Sequence, residues 1–147
     1  MKLSSLLFSF RGRIGRKQWW LGVLIIALAT VLMLGIAFWS SVPLLAIPFI
    51  LVVFVATYAL SVKRLHDRGM SGWWALVFIF LPGVFDRWSD RLTEETPLWW
   101  VLVLIGSVLT IWGLIELGFR RGTDGENNYG PDPLAGREPS AEPELSR

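Results

Sequence analysis

Lys63-Arg64-Leu65-His66-Asp67-Arg68-Gly69 is the densest run of polar chemistry in the chain, and it directly follows an apolar block. If the helix of that block continues to Asp67, Lys63 and Asp67 stand at i,i+4, as do Arg64 and Arg68. Two guanidinium groups one turn apart can grip a phosphate oxygen, and His66, the only histidine, titrates near neutral pH. The same residues have a plainer use, since cations at a helix end snorkel to the interface and anchor a bilayer. Both readings stand on sequence.

Two other segments carry comparable chemistry. Arg11, Arg13, Arg16 and Lys17 alternate with apolar residues after Leu6 and Leu7. That pattern reads as an interfacial stretch able to hold anionic lipid headgroups, or as a signal that only orients the chain. Near the other end, Asn127-Asn128-Tyr129-Gly130-Pro131-Asp132-Pro133 is dense in turn formers. It reads as a docking tail, with Asp124 or Asp132 pairing with Arg64 or Arg68 and Tyr129 packed at the interface; a free tail is the alternative. The candidate binding residues are therefore Arg13, Arg16, Arg64, His66, Asp67, Arg68, Asn127, Tyr129 and Asp132.

Much chemistry is excluded. There is no Cys, so disulfides, thiolate metal sites and Cys nucleophiles are absent. One His and few acids form no recognisable triad, so no catalytic residue and no cofactor is assigned. His66 and Asp67 with Asp124 and Asp132 have no diagnostic metal spacing, and no metal is assigned. Within or beside the apolar blocks the only ionisable residues are Tyr58 and Glu116, neither near a midplane, which disfavours a pump.

The elements that must position these residues are membrane spans. Hydrophobic residues make up 53% of the 147-residue chain and charged ones 18%, and the apolar excess lies in long blocks. The first runs from Trp19 to about Trp39, roughly twenty residues and ~30 Å of helix. Its length and the lack of a small-x-small site argue for an uncleaved helix rather than a signal peptide. The second runs from Leu44 to Val62 and the fourth from Pro97 to Phe119. The third, Trp73 to Phe85, is short enough to be re-entrant, but its wholly apolar start favours a crossing. Gly69 is placed to stop the second helix and Ser71 to cap the third. Gly106, Ser107, Thr110 and Gly113 would let the fourth helix approach a neighbour closely.

With four crossings, twelve of the fourteen Lys and Arg fall on one side and only Arg87 and Arg91 on the other. Positive charge concentrates in the cytoplasm, which places both chain ends there. Trp19, Trp20, Trp39, Trp73, Trp74, Trp88, Trp99 and Trp100 mark span ends as aromatic belts do. The expectation is an all-α integral membrane protein of four transmembrane helices, the third short, N-in and C-in. Its membrane domain covers 1–133, followed by a disordered tail over 134–147. No basic stripe on a soluble fold exists for nucleic acid.

Three blocks resemble the YhaH-like family of small bacterial inner-membrane proteins, domain-of-unknown-function family eight hundred and five. They are Phe10-x-Gly12-Arg13-x-x-Arg16-x-x-Trp19, Lys63-Arg64-Leu65-His66-Asp67-x-Gly69-x-Ser71-Gly72-Trp73, and Gly122-x-x-Gly125-x-Asn127-x-Tyr129-Gly130-Pro131-Asp132-Pro133. The chain departs from the pattern at Lys63 and Met70, and in a longer polar segment over 86–96. The resemblance implies a multi-pass protein of the bacterial inner membrane, supports four spans, and implies that the three blocks meet on one cytoplasmic surface. It brings no reaction. The preferred expectation is a non-catalytic protein whose Arg/His/Asp face binds anionic lipid or a partner membrane protein, with a homo-oligomer also open. A transport or channel component using the cluster as a gate or anion site is the alternative, and an interfacial lipid-modifying enzyme the third.

Overall fold

The computed structural model describes residues 2–40, 46–94 and 96–135. Among them there is no strand. The elements are α1 (Leu3–Phe8), α2 (Arg16–Ser40), α3 (Ala46–Asp67), α4 (Trp74–Ser89) and α5 (Pro97–Leu114), which ends in a π-helical turn over Ile115–Phe119. Three stretches are long and apolar enough to cross a membrane: Arg16–Trp39, Ile47–Asp67 and Pro97–Phe119. The tail beyond 135, with its expected disorder, lies outside the described residues.

Local chemistry sets the boundaries. The helix α2 starts inside the basic lead-in, because the Gly15 N–H donates to Gln18 Oε1 at 3.1 Å and the Gly15 carbonyl accepts from Trp19 at 3.0 Å. The helix α3 runs through Lys63 to Asp67, so the i,i+4 geometry holds. It stops in a Schellman arrangement in which the Met70 N–H donates to Leu65 O at 2.9 Å and the Gly69 N–H to His66 O at 3.0 Å. That turn needs a left-handed residue, and Gly69 has φ +70°.

Ser71, expected to cap α4, stands two residues ahead of the N-cap, and its Oγ accepts from the Trp73 N–H at 3.4 Å. The N-cap is Trp73, which makes no side-chain cap. The first turn closes instead on the carbonyls of Ser71 and Gly72, which accept from Trp74 and Ala75. The helix α4 is also longer than its apolar core, reaching Ser89 with Pro82 buried inside it. At α5, Pro97 holds the first position and Thr96 Oγ1 accepts from the Trp99 N–H at 3.3 Å.

Burial is concentrated at one end of the bundle. Leu6, Ile14, Trp19, Leu60, Leu65, Ala75, Phe78 and Leu117 form its core, where α2 begins and α3 and α5 finish. At the opposite end Leu32, Leu34, Phe38, Ile47 and Leu51 are exposed, as lipid-facing side chains are. Helices in lipid attract each other by close packing rather than by a hydrophobic drive, so small residues mark the contacts. A Cβ on Gly22 would stand 2.7 Å from Leu60, which joins α2 to α3.

Helices α4 and α5 lie antiparallel. Gly113 faces Phe78 and Gly106 faces Phe85, while Trp112 meets Phe78 edge-on at 5.1 Å. Two of the four small residues singled out by sequence, Gly106 and Gly113, thus make the approach expected of them. A Cβ on Gly113 would come within 2.9 Å of Phe78 Cβ, whereas one on Gly35 would meet nothing. Gly113→Ala should therefore lose roughly 1–3 kcal/mol in detergent unfolding, and Gly35→Ala should lose nothing. Equal responses would contradict the packing described.

Candidate functional site: a buried ionic clamp

The three polar blocks meet at the packed end of the bundle, around Asp67. Its carboxylate accepts from Arg13 Nε at 3.1 Å on one oxygen and from Arg64 Nη1 on the other. All three residues are buried, with Arg64 fully inaccessible. An unpaired charge in this setting would cost several kcal/mol, so the trio is stable only as a unit. The Asp67 carbonyl in turn accepts from the Thr123 N–H at 2.8 Å and from its hydroxyl at 3.1 Å. Gly122 lies so close to the carboxylate that a Cβ there would overlap it. No side chain fits at that position.

The cations reach onward from Asp67 to the end of α5. Arg13 donates to the carbonyls of Thr123 and Gly125, both at 2.5 Å, and of Gly130 at 3.2 Å. Arg64 donates to Leu117 O at 2.8 Å and to Arg120 O. Arg68 donates to Arg121 O at 2.6 Å, Arg16 to Phe119 O at 3.3 Å, and the Trp20 indole to Gly118 O at 3.1 Å. A helix C-terminus leaves carbonyls unpaired and carries partial negative charge, and cations satisfy both. The π-helical turn, closed by the Arg120 N–H on Ile115 O at 3.1 Å, helps set the directions of these carbonyls.

Glu116 completes the arrangement. Buried, it accepts from Arg68 Nε at 2.9 Å and from Arg120 Nη1 at 2.8 Å. On sequence Glu116 is only an ionisable residue near a helix end. Its spacing of four from Arg120 was the one available signal. Lys63 turns the other way and donates to Ser5 O at 2.8 Å and to Leu6 O, fixing α1 to α3.

The tail docks, with different partners from those expected. Tyr129 stacks on His66 with ring centroids 4.0 Å apart and planes 5° from parallel. Asn127 Nδ2 donates to His66 O at 2.9 Å, and Asn127 Oδ1 accepts from the Tyr129 N–H at 2.9 Å. His66 Nδ1 lies 3.3 Å from Gly12 O, so its ring bridges the first and third blocks. The anticipated pairing of Asp124 or Asp132 with Arg64 or Arg68 does not form. Arg64 pairs with Asp67 and Arg68 with Glu116. Asp132 organises its own turn, accepting from Gly125 at 3.1 Å and Leu134 at 2.8 Å, and the Leu134 N–H above all holds its carboxyl below the usual range.

Arg13, Arg64, His66, Asp67, Arg68, Asn127 and Tyr129 are thus gathered into one network. Arg16 and Asp132 stand at its edge, beside a cavity of about 260 Å³ that borders Arg64 and Asp67. Among the described residues no group of His, Asp and Glu could hold a metal ion.

An all-helical chain with span-length apolar helices and an ionic cap at one end defines a small membrane protein. It belongs to the family described as Protein of unknown function (DUF805), whose model matches residues 7–131. Similar proteins from Escherichia coli (strain K12) include "Uncharacterized protein YiiR", 33% identical over 144 residues and covering 90% of both chains. "Inner membrane protein YhaI" is 33% identical over 129 residues, covering 86% of this chain and 87% of its own. "Inner membrane protein YhaH" is 28% identical over 130 residues, with 84% and 86% covered. No solved structure matches the chain.

Asp67→Asn should cost about 3–5 kcal/mol, because it leaves Arg13 and Arg64 buried with no counter-charge. The exposed Arg87–Asp90 pair, 3.9 Å apart, offers the control, and Asp90→Asn should cost less than about 1 kcal/mol. Thermal unfolding of both variants in the same detergent checks the difference.

Proposed function

We propose that the chain is a multi-pass inner-membrane protein with four crossings and both ends inside, whose clamped cytoplasmic end holds anionic lipid headgroups without catalysis. The observation that carries this reading is the division of labour among the cations. Arg13, Arg64 and Arg68 spend their donors on the chain's own carbonyls and carboxylates. Arg11, Arg16, Lys17 and Arg121 are exposed at the same end, and among the described residues none has a carboxylate within ion-pairing distance. Cations at headgroup depth with spare donors attract anionic phosphates, each contributing about 1 kcal/mol.

Four crossings rest on the α4–α5 pair. The helix α4 begins just after the clamp and runs antiparallel to α5, which returns to the clamp. If α5 crosses, its partner crosses with it, although its 16 residues give only ~24 Å of helix. The short helix then sits where local thinning of the bilayer or a longer neighbour accommodates it. The names of YhaI and YhaH support the inner membrane as the location.

Single cysteines in this Cys-free chain test the topology. An impermeant maleimide applied to spheroplasts should label Thr93→Cys and spare Ser71→Cys and Asn128→Cys. Protection at Thr93 would mean that α4 turns back within the membrane and would end the four-crossing reading. For the lipid, purified protein should retain phosphatidylglycerol over phosphatidylcholine by about tenfold in native mass spectrometry, and Arg11→Gln with Lys17→Gln should remove that preference. A preference unchanged in the double variant would sink the proposal.

A further inference from the structure

The cavity beside the clamp has a composition that a simple anion site does not explain. Arg16 and Arg121 line it together with Asp124 and Asp132, and the buried Arg64–Asp67 pair forms part of its wall. Its volume of about 260 Å³ fits a headgroup rather than a larger ligand. Within the lining Arg64 pairs with Asp67, so the other charges that line the cavity are two cations and two carboxylates. A lone phosphate would suffer repulsion from both carboxylates, and a lone cation from both guanidinium groups. A zwitterion meets neither penalty.

We propose that this cavity binds a phosphoethanolamine group, with Arg16 and Arg121 holding the phosphate and Asp124 and Asp132 accepting from the ammonium. Among the described residues Asp124 makes no hydrogen bond or ion pair through its side chain, so its carboxylate is available. Asp132 gives one lone pair on each oxygen to a backbone N–H and keeps the others. A primary ammonium carries three donors for such acceptors, whereas a choline headgroup carries none. On the reading that α2 crosses the bilayer, the cavity lies at headgroup depth, because Arg16 in its lining begins α2 and Trp20 follows a turn later. The inference rests on the reading that this end faces lipid headgroups, and it gives Arg16 and Arg121 a zwitterionic ligand while Arg11 and Lys17, outside the cavity, are left for anions.

The full chain, purified and offered equal phosphatidylethanolamine, phosphatidylcholine and phosphatidylglycerol, tests it by native mass spectrometry. Phosphatidylethanolamine should be retained about tenfold over phosphatidylcholine, as expected for charge-assisted hydrogen bonds. Asp124→Asn should bring it down to the phosphatidylcholine level while phosphatidylglycerol retention is unchanged, which also shows that the variant is folded. Calorimetry with soluble phosphoethanolamine distinguishes the source. Heat with this compound but not with inorganic phosphate, in the absence of lipid preference, assigns the same site to a free ligand. Equal retention of the ethanolamine and choline lipids without such heat overturns the proposal, as does a preference that survives Asp124→Asn. Loss of phosphatidylglycerol preference alone would instead strike the anionic-lipid reading and leave this one standing.

Discussion

A carboxylate taken out of water must be matched in charge and in hydrogen bonds, and the fold of this chain depends on how Asp67 meets that requirement. Its counter-charges come from Arg64 on its own helix and from Arg13, 54 residues earlier in the chain. Those two guanidinium groups have more donors than one carboxylate can use, and the surplus goes to backbone carbonyls between Leu117 and Gly130. One buried charge thereby fixes the lead-in to α2, the end of α3 and the turn after α5 against one another. Gly122 is small because the carboxylate occupies the space where a side chain would go.

The rest of the bundle has little else to hold it. Lipid tails satisfy apolar side chains as well as a neighbouring helix does, so the exposed ends of α2 and α3 gain little by packing. Close approach at Gly22, Gly106 and Gly113 joins helices in pairs, α2 to α3 and α4 to α5. The ionic end ties the lead-in to α2, the end of α3 and the end of α5 together at once. The stacked His66 and Tyr129 rings and the Lys63 bonds to α1 extend the same arrangement to its edges.

Three span-length helices were legible in the sequence because hydropathy is a property of composition along the chain, and the convergence of the polar blocks was implied by the family resemblance. Gly69 was legible because a helix stop has a local signature, whereas the cap signature at Ser71 falls two residues ahead of the N-cap of α4, Trp73. The partners within the clamp were not legible. Arg64 and Arg68 read as open phosphate ligands, and only the fold shows that α5 brings its terminal carbonyls and Glu116 to them. Acceptors on the backbone leave no trace in residue type. The same blindness made Asp124 and Asp132 the expected partners, when a carboxylate three residues from Arg64 was already in place.

A double-mutant cycle on Arg13 and Asp67 tests most directly whether this clamp holds the ends of the chain together. Unfolding free energies of Arg13→Gln, Asp67→Asn and the double variant would be measured in one detergent. The account predicts that the double variant is more stable than additivity allows by more than about 1.5 kcal/mol, as for close buried charge pairs. Additive losses would mean that the two residues act independently and that the clamp does not organise the fold.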